Sequence, residues 1–264
     1  ASYRRQRQMC IRDSFKVEYF IHEQNAIMGR ANKILERFAS KTFIPFDKII
    51  PLKHFNKRIY SGTPIRKEIK SIKIKKRNNN KLNILVFGGS LGSEFFSISL
   101  VNSFINLNPK VKKQLNVFHQ VINSKIKKVK QLYRINNVMS EVKSFFPNIE
   151  KYYKKTDLII CRAGGSTIAE ILYLKIPCII IPLKNSMDNH QAINSKIIND
   201  NKLGWVINED NFENDTLIKI IEDIITKNLH LDKIKVNLEK FKNENDRKKK
   251  YKSPNEILSK YIIK

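Results

Sequence analysis

From Lys81 onward, short apolar runs alternate with helical patterns, and that alternation leaves few folds open to the chain. KLNILVF, LNVFHQVI, NVMSEVKSFF, DLIIC, PCIIIPL and GWVI read as strands. SEFFSISLVNSFINL, the basic stretch after LNVFHQVI, NIEKYYKKT, STIAEILYLK, NHQAINSKIINDN and the terminal segments read as helices. Strands separated by crossover helices assemble as a parallel sheet, so the expected fold class is α/β. Ligands of such sheets bind beyond the carboxyl ends of the strands. The loops that follow the strands are therefore where function is to be sought. A length of 264 residues suits one large α/β domain or two smaller ones.

Glycine marks two of those loops. The chain has 8 glycines, about 3% of its residues against a usual level of about 7%. Five of the 8 lie in two loops: Gly88, Gly89 and Gly92 in FGGSLGS, and Gly164 and Gly165 in CRAGGSTIAEI. So glycine-poor a sequence keeps glycine where the backbone needs left-handed angles or close approach to a ligand.

Each loop has two readings. FGGSLGS follows a strand and opens a helix, where backbone N–H groups can face an anion with help from the helix dipole. It is neither GxGxxG nor a Walker motif, since no GK[ST] follows, and a tight strand-to-helix turn accounts for it equally. CRAGGSTIAEI is of the same kind. Thr167 and Glu170 fit a T-x-x-E capping box, in which each side chain satisfies an orphan N–H. Alternatively the loop holds a phosphate and Glu170 accepts from ribose hydroxyls, as acidic residues do in dinucleotide folds. Two such loops in one sheet suit a diphosphate or a sugar nucleotide better than either alone. In DNHQ, Asp188 suits an N-cap, while His190 and Gln191 have groups for sugar hydroxyls. IHEQN clusters His22, Glu23, Gln24 and Asn25 at a strand end, more polarity than a structural turn needs. GTPIR sets Arg66 after a proline turn, as a surface residue or a diphosphate partner.

The net charge is +27, from 51 Lys+Arg against 24 Asp+Glu. It suggests an anionic partner, nucleic acid or a membrane surface. The lysines are spread along the chain in Lys/Asn/Ile-rich runs, however, which favours compositional bias of an AT-rich genome. No run is long and apolar enough to span a bilayer, and no secretory signal is evident. Cys10, Cys161 and Cys178 have no paired spacing, which argues against zinc and a disulfide framework. Residues 1–14 match nothing that follows and are set aside as a foreign leader. KSIKIKKRNNNK reads as a charged linker and as the candidate domain boundary.

Taken together, IHEQNAIMGRANKIL, SGTPIRKEI, FGGSLGS, CRAGGSTIAEI and PLKNSMDNHQAINS closely resemble, in content and order, the MurG family of lipid-linked N-acetylglucosaminyltransferases (glycosyltransferase family 28). The resemblance runs from about Phe15 to the C-terminus. It implies the GT-B fold, with a Rossmann-like C-terminal domain at residues 65–245, a remnant of the N-terminal acceptor and membrane domain at 15–64, and a terminal helix at 246–264. It implies N-acetylglucosamine transfer from UDP-GlcNAc to lipid I, giving lipid II with inversion. The expected setting is the cytoplasmic face of the bacterial inner membrane, bound peripherally to its anionic surface, with other cell-wall synthesis proteins as partners. Neither a cofactor or metal nor nucleic acid is expected. By motif, Gly165, Ser166 and Thr167 meet the diphosphate and Glu170 the ribose. Ser90 and Arg66 also contact the diphosphate region, and Phe146 takes the position whose backbone reads uracil. His190 and Gln191 hold the sugar hydroxyls, Asn25 contacts the donor sugar, and Glu23 lies near the reaction centre as the candidate catalytic group. The family's Gly-rich N-terminal loop, with its proposed catalytic His, has no counterpart here. Three alternatives therefore stand beside transfer: another GT-B nucleotide-sugar enzyme, a non-catalytic donor-binding fragment, and a basic nucleic-acid-binding protein.

Overall fold

The computed structural model describes residues 18–47, 49–51, 57–74, 81–89, 92–227 and 229–263. The chain forms two compact units, Ala1–Ile65 with Glu244–Lys264, and Arg66–Asn243. The division falls at Ile65, ahead of the charged stretch at 70–81, and the C-terminal segment joins the first unit.

The second unit is built on six strands: β4 (Leu82–Phe87), β5 (Leu115–Gln120), β6 (Ser140–Lys143), β7 (Leu158–Cys161), β8 (Cys178–Ile180) and β9 (Gly204–Val206). All pair in parallel, in the order β6-β5-β4-β7-β8-β9. Central strands with both faces covered read as nearly continuous apolar runs. Every residue of β4 except Asn83 is buried, as are all of β7 and β8, whereas edge strand β6 has an exposed Lys143 and half-buried Ser140 and Glu141. The core places Leu82, Ile84 and Val86 among Val117, Ile160 and Ile179 of the sheet and Phe96, Leu100 and Phe104 of the first crossover. That crossover opens with a π-helical turn, Phe96–Leu100, before the α-helical Val101–Ile105. At the other edge, a Cβ on Gly204 would lie 2.2 Å from the Cys178 carbonyl oxygen, so the β8–β9 approach requires glycine there.

The strand order determines where a ligand can sit. Counted from β4, it is 3-2-1-4-5-6, with the direction of winding reversing between β4 and β7. A crevice opens at such a switch point, beyond the carboxyl ends of the two central strands. The loops that emerge there are FGGSLGS from β4 and RAGGST from β7.

The first unit carries a three-stranded parallel sheet, β1 (Phe20–His22), β2 (Lys41–Ile44) and β3 (Arg58–Tyr60), in the order β1-β2-β3. Its C-terminal segment is tied in by Tyr60, which donates to Asn245 Oδ1 at 2.5 Å, and by Tyr261, edge-on to Phe43 at 5.8 Å. The helix Pro254–Ile262 starts with a capping box between Ser253 and Glu256. Arg58 and Glu36 form a buried ion pair at 2.6 Å, each 3% exposed.

Candidate functional site

In the second unit the helix Gly165–Leu174 leaves β7 with Gly164 at its N-cap and no side chain capping it. Its first main-chain bond runs from Ile168 N–H to the Gly164 carbonyl, 2.9 Å. The N–H groups of Gly165, Ser166 and Thr167 therefore have no acceptor within the helix. They lie at the positive end of its dipole, an arrangement suited to an anion. This corrects the capping-box reading. The helix begins three residues before a Thr167 N-cap would allow, so Thr167 sits inside the first turn. Glu170 lies a full turn further and reaches elsewhere.

The Glu170 carboxylate is shared. Oε1 accepts from Arg66 Nε at 3.0 Å and Nη2 at 2.9 Å. Oε2 accepts from the Tyr153 hydroxyl at 3.0 Å. The Arg66 side chain is 56% exposed and that of Glu170 only 12%. Tyr153 is buried at the end of the helix Ile149–Tyr153, its ring edge-on to Phe87, the last residue of β4. Burial first, and the neighbouring Glu170 second, push its phenol well above the usual 10, so it stays a donor.

The β4 loop is shaped by its glycines. A Cβ on Gly88 would come within 2.6 Å of Ser93 Cβ, and Gly89 has φ +102°. Ser90, expected at the diphosphate, lies outside the described residues. Gln120, at the end of β5, donates from Nε2 to the Gly89 carbonyl at 2.9 Å and to Ser144 at 3.1 Å, linking the β4 loop to the β6 loop. Phe146 lies in that β6 loop with its ring buried against Tyr152 at 4.4 Å, which fixes the backbone there.

On the other side of β7, the loop after β8 carries His190 and Gln191. Gln191 Oε1 accepts from Leu183 N–H at 2.9 Å and Ala163 N–H at 3.2 Å. Two donor partners fix the amide's orientation and turn its NH2 end away as a donor. His190 Nδ1 meets the Met187 carbonyl at 2.6 Å, which assigns the proton to Nδ1 and leaves Nε2 as an acceptor in the neutral ring. Asp188 is not the N-cap expected of it. The cap of the helix His190–Asp200 is Asn189, and both Asp188 (φ 53°) and Asn189 (φ 55°) are left-handed, a conformation these two residue types tolerate better than most.

Arg162 ties the loops together, and nothing local in the sequence marks it. It is 7% exposed. Nη1 bonds Glu209 Oε2 at 2.6 Å, Nη2 bonds Glu209 Oε1 at 3.1 Å and Ser93 Oγ at 3.0 Å, and Nη1 also reaches the Ile181 and Pro182 carbonyls at 3.2 Å. Its guanidinium stacks on Phe96, 4.8 Å from the ring centre. One side chain thus links the ends of β7 and β8 to the start of the first crossover and to the loop after β9.

In the first unit IHEQN forms a compact polar knot. Glu23, 3% exposed, accepts at Oε1 from Gln24 N–H (2.8 Å), Asn25 N–H (2.9 Å) and Asn25 Nδ2 (3.0 Å). At Oε2 it accepts from Gly29 N–H and Asn32 Nδ2, both at 2.9 Å. Burial by itself would raise its pKa. The bonds from Gly29, Asn32, Asn25 and Gln24 outweigh that and hold the carboxyl below its usual 4.5. His22 Nε2 lies 3.1 Å from the Gly62 carbonyl, at the left-handed turn (φ +75°) of SGTP.

Residues 83–250 match the glycosyltransferase family 28 C-terminal domain. The chain belongs to glycosyltransferase family 28. Two curated relatives, from Rickettsia bellii and Rickettsia canadensis, are each named UDP-N-acetylglucosamine--N-acetylmuramyl-(pentapeptide) pyrophosphoryl-undecaprenol N-acetylglucosamine transferase. They are 34% identical over 238 residues and 36% over 234, and each match covers 87% of this chain. The family 28 chain spans 66% of the length of both relatives, just under two thirds. The crystal structure of Acinetobacter baumannii MurG superposes with a TM-score of 0.71 at 25% identity, covering 86% of this chain and 64% of that one. Os79 from O. sativa, solved in complex with UDP, superposes with a TM-score of 0.61 at 12% identity, covering 80% of this chain and 52% of that one, and shares the fold alone. The α/β, GT-B-type class expected of the sequence is the class of the family 28 chain.

The structure of this family 28 chain brings Gly165, Ser166, Thr167, Glu170 and Arg66 together at the switch point, with Gln191 attached to the same β7 loop through Ala163. Sequence reasoning missed Tyr153, Gln120, Arg162 and Glu209, which hold the loops of this site in place, and Asn32, which holds Glu23 in the first unit. Among the described residues no group of three or more His, Cys, Asp or Glu is placed to hold a metal ion. None of the described helices is long and apolar enough to cross a membrane.

Proposed function

We propose that the second unit binds UDP-N-acetylglucosamine, and that the protein to which this chain belongs transfers the sugar to lipid I in peptidoglycan synthesis. The observation that carries the reading is the helix Gly165–Leu174: three N–H groups with no acceptor within the helix at its start, and a carboxylate one turn on, at the switch point of the sheet. The diphosphate would rest on Gly165, Ser166 and Thr167, with Ser90 and Arg66 beside it, and the ribose on Glu170. The backbone near Phe146 would read uracil. The Gln191 NH2 group and His190 Nε2 would serve sugar hydroxyls. The printed names of the Rickettsia relatives support the donor and the lipid-linked acceptor.

The reaction is then an inverting displacement, in which the acceptor hydroxyl gives its proton to a general base and attacks the anomeric carbon as UDP leaves. The leaving diphosphate is stabilised by fixed N–H dipoles that need no reorganisation during the reaction. Glu23, the candidate catalytic group, is assigned a structural part rather than that of the proton acceptor. A carboxylate that already accepts five N–H bonds is a weak base, and taking a proton would break several of them. Its part is to hold the IHEQN loop and Asn25 in shape. The working place we assign is the cytoplasmic face of the inner membrane, with the net charge of +27 favouring an anionic lipid surface.

Calorimetric titration with UDP-GlcNAc, UDP and a DNA duplex tests the donor reading. Saturable binding of both nucleotides, abolished in Glu170→Ala, is expected. Binding of DNA alone, falling steeply with salt, would replace it with the nucleic-acid reading. A second reading is that the chain binds donor without transferring it. Assay of lipid I with the chain as it stands separates the two.

A further inference from the structure

Resting on the donor reading above, the contacts of Glu170 carry a further assignment. Its two oxygens are held by very different groups. Both Arg66 donors land on one oxygen, Oε1, from a flexible side chain that is 56% exposed. The other oxygen is held by Tyr153, which is 1% exposed, closes a helix and packs edge-on to Phe87 with 6.3 Å between ring centres. Arg66 can leave by rotating into solvent, because its own side chain is 56% exposed, and an incoming hydroxyl donor replaces it on the mostly buried carboxylate. Tyr153 has nowhere to go. A ribose hydroxyl needs an acceptor, and Oε1 is the acceptor that can be vacated.

We infer that Tyr153 is the positioning residue of the ribose site, holding Oε2 of Glu170 while Oε1 exchanges Arg66 for a ribose hydroxyl. Arg66 is the counter-ion of Glu170 when the site is empty, and on release it becomes available to the diphosphate that arrives with the ribose. The exchange keeps the carboxylate satisfied in both states and couples ribose recognition to diphosphate recognition. Tyr153 also connects the site to β4, because Phe87 immediately precedes Gly88.

The test is calorimetry of the full chain with UDP and with 2′,3′-dideoxy-UDP, which lacks the hydroxyls. The wild type should prefer UDP. Tyr153→Phe, which removes one charge-assisted hydrogen bond, should weaken UDP about ten-fold and dideoxy-UDP less than about two-fold. Equal losses for both nucleotides, or no loss for either, would overturn the assignment. Arg66→Met, at an exposed position, tests the exchange should Tyr153→Phe fail to fold. Uridine, having no phosphate, should bind Arg66→Met several-fold tighter than wild type, and unchanged or weaker binding would overturn it. A wild-type chain that binds neither nucleotide would instead defeat the donor reading itself.

Discussion

Replacing Glu23 by Gln changes one carboxylate oxygen into an NH2 group in a pocket made entirely of donors. Oε1 faces three N–H groups and Oε2 faces two. Whichever way the amide turns, at least two donors lose their acceptor, and the best placement sets the NH2 group against Gly29 N–H and Asn32 Nδ2. Each lost bond to a charged acceptor is worth about 1.5–3 kcal/mol, so the gross loss is about 3–6 kcal/mol. Relief from burying a charge offsets part of it, and about 3 kcal/mol is the expected net. That corresponds to roughly a hundred-fold change in an opening equilibrium. Residue-resolved hydrogen exchange is the assay. The amides of Gln24, Asn25 and Gly29 in Glu23→Gln should exchange roughly a hundred-fold faster than in wild type at pH 7, while those of β4 and β7 stay unchanged. The pH dependence has a definite sign. The folded pKa lies below 4.5, so the stabilisation is complete above that value and is lost as pH falls through the folded pKa. Wild-type protection of these amides should decline with acid in that window, and the variant's should not. Equal exchange in the two proteins, together with loss of lipid I turnover, would refute the reasoning and give Glu23 a direct catalytic role.

Other outcomes follow from the same geometry. Arg162→Leu leaves the Glu209 carboxylate without its main partner and should destabilise the second unit by about 3–5 kcal/mol, read as a lowered urea midpoint. Gly204→Ala sets a methyl group 2.2 Å from the Cys178 carbonyl, so β9 should detach from the sheet, with Trp205 fluorescence shifting towards that of an exposed indole. Gly88→Ala forces Ser93 to move, because the new Cβ would lie 2.6 Å from its own. UDP affinity should fall while the melting midpoint drops less than in Gly204→Ala. A chelator should leave UDP affinity unchanged, since N–H groups and Arg66 are assigned the diphosphate.

The sequence was most legible where one local cause dominates. Strands β4, β7 and β8 are buried on both faces, so their apolar runs needed no periodicity to be found. The glycine-rich loops stood out because the rest of the chain has so little glycine. What distant residues decide stayed hidden. Glu170 meets Arg66 across 104 positions and Arg162 meets Glu209 across 47, so neither pair leaves a local pattern. The capping box and the phosphate loop both stay open in the sequence because T-x-x-E describes Thr167 and Glu170 adequately in isolation. It is the chain leaving β7 that starts the helix at Gly165 and carries Glu170 round to Tyr153. The polar cluster IHEQN stands out by its composition, but its organisation depends on Asn32, 9 positions beyond Glu23, which helps turn a candidate catalytic group into a saturated acceptor.

A structure of the chain with UDP bound tests the central claim most directly. The account predicts phosphate oxygens on the Gly165, Ser166 and Thr167 N–H groups, ribose hydroxyls on Glu170 Oε1, Tyr153 still on Oε2, and Arg66 moved to the diphosphate. UDP bound away from the switch point between β4 and β7, or bound there with Glu170 still paired to Arg66, would contradict it.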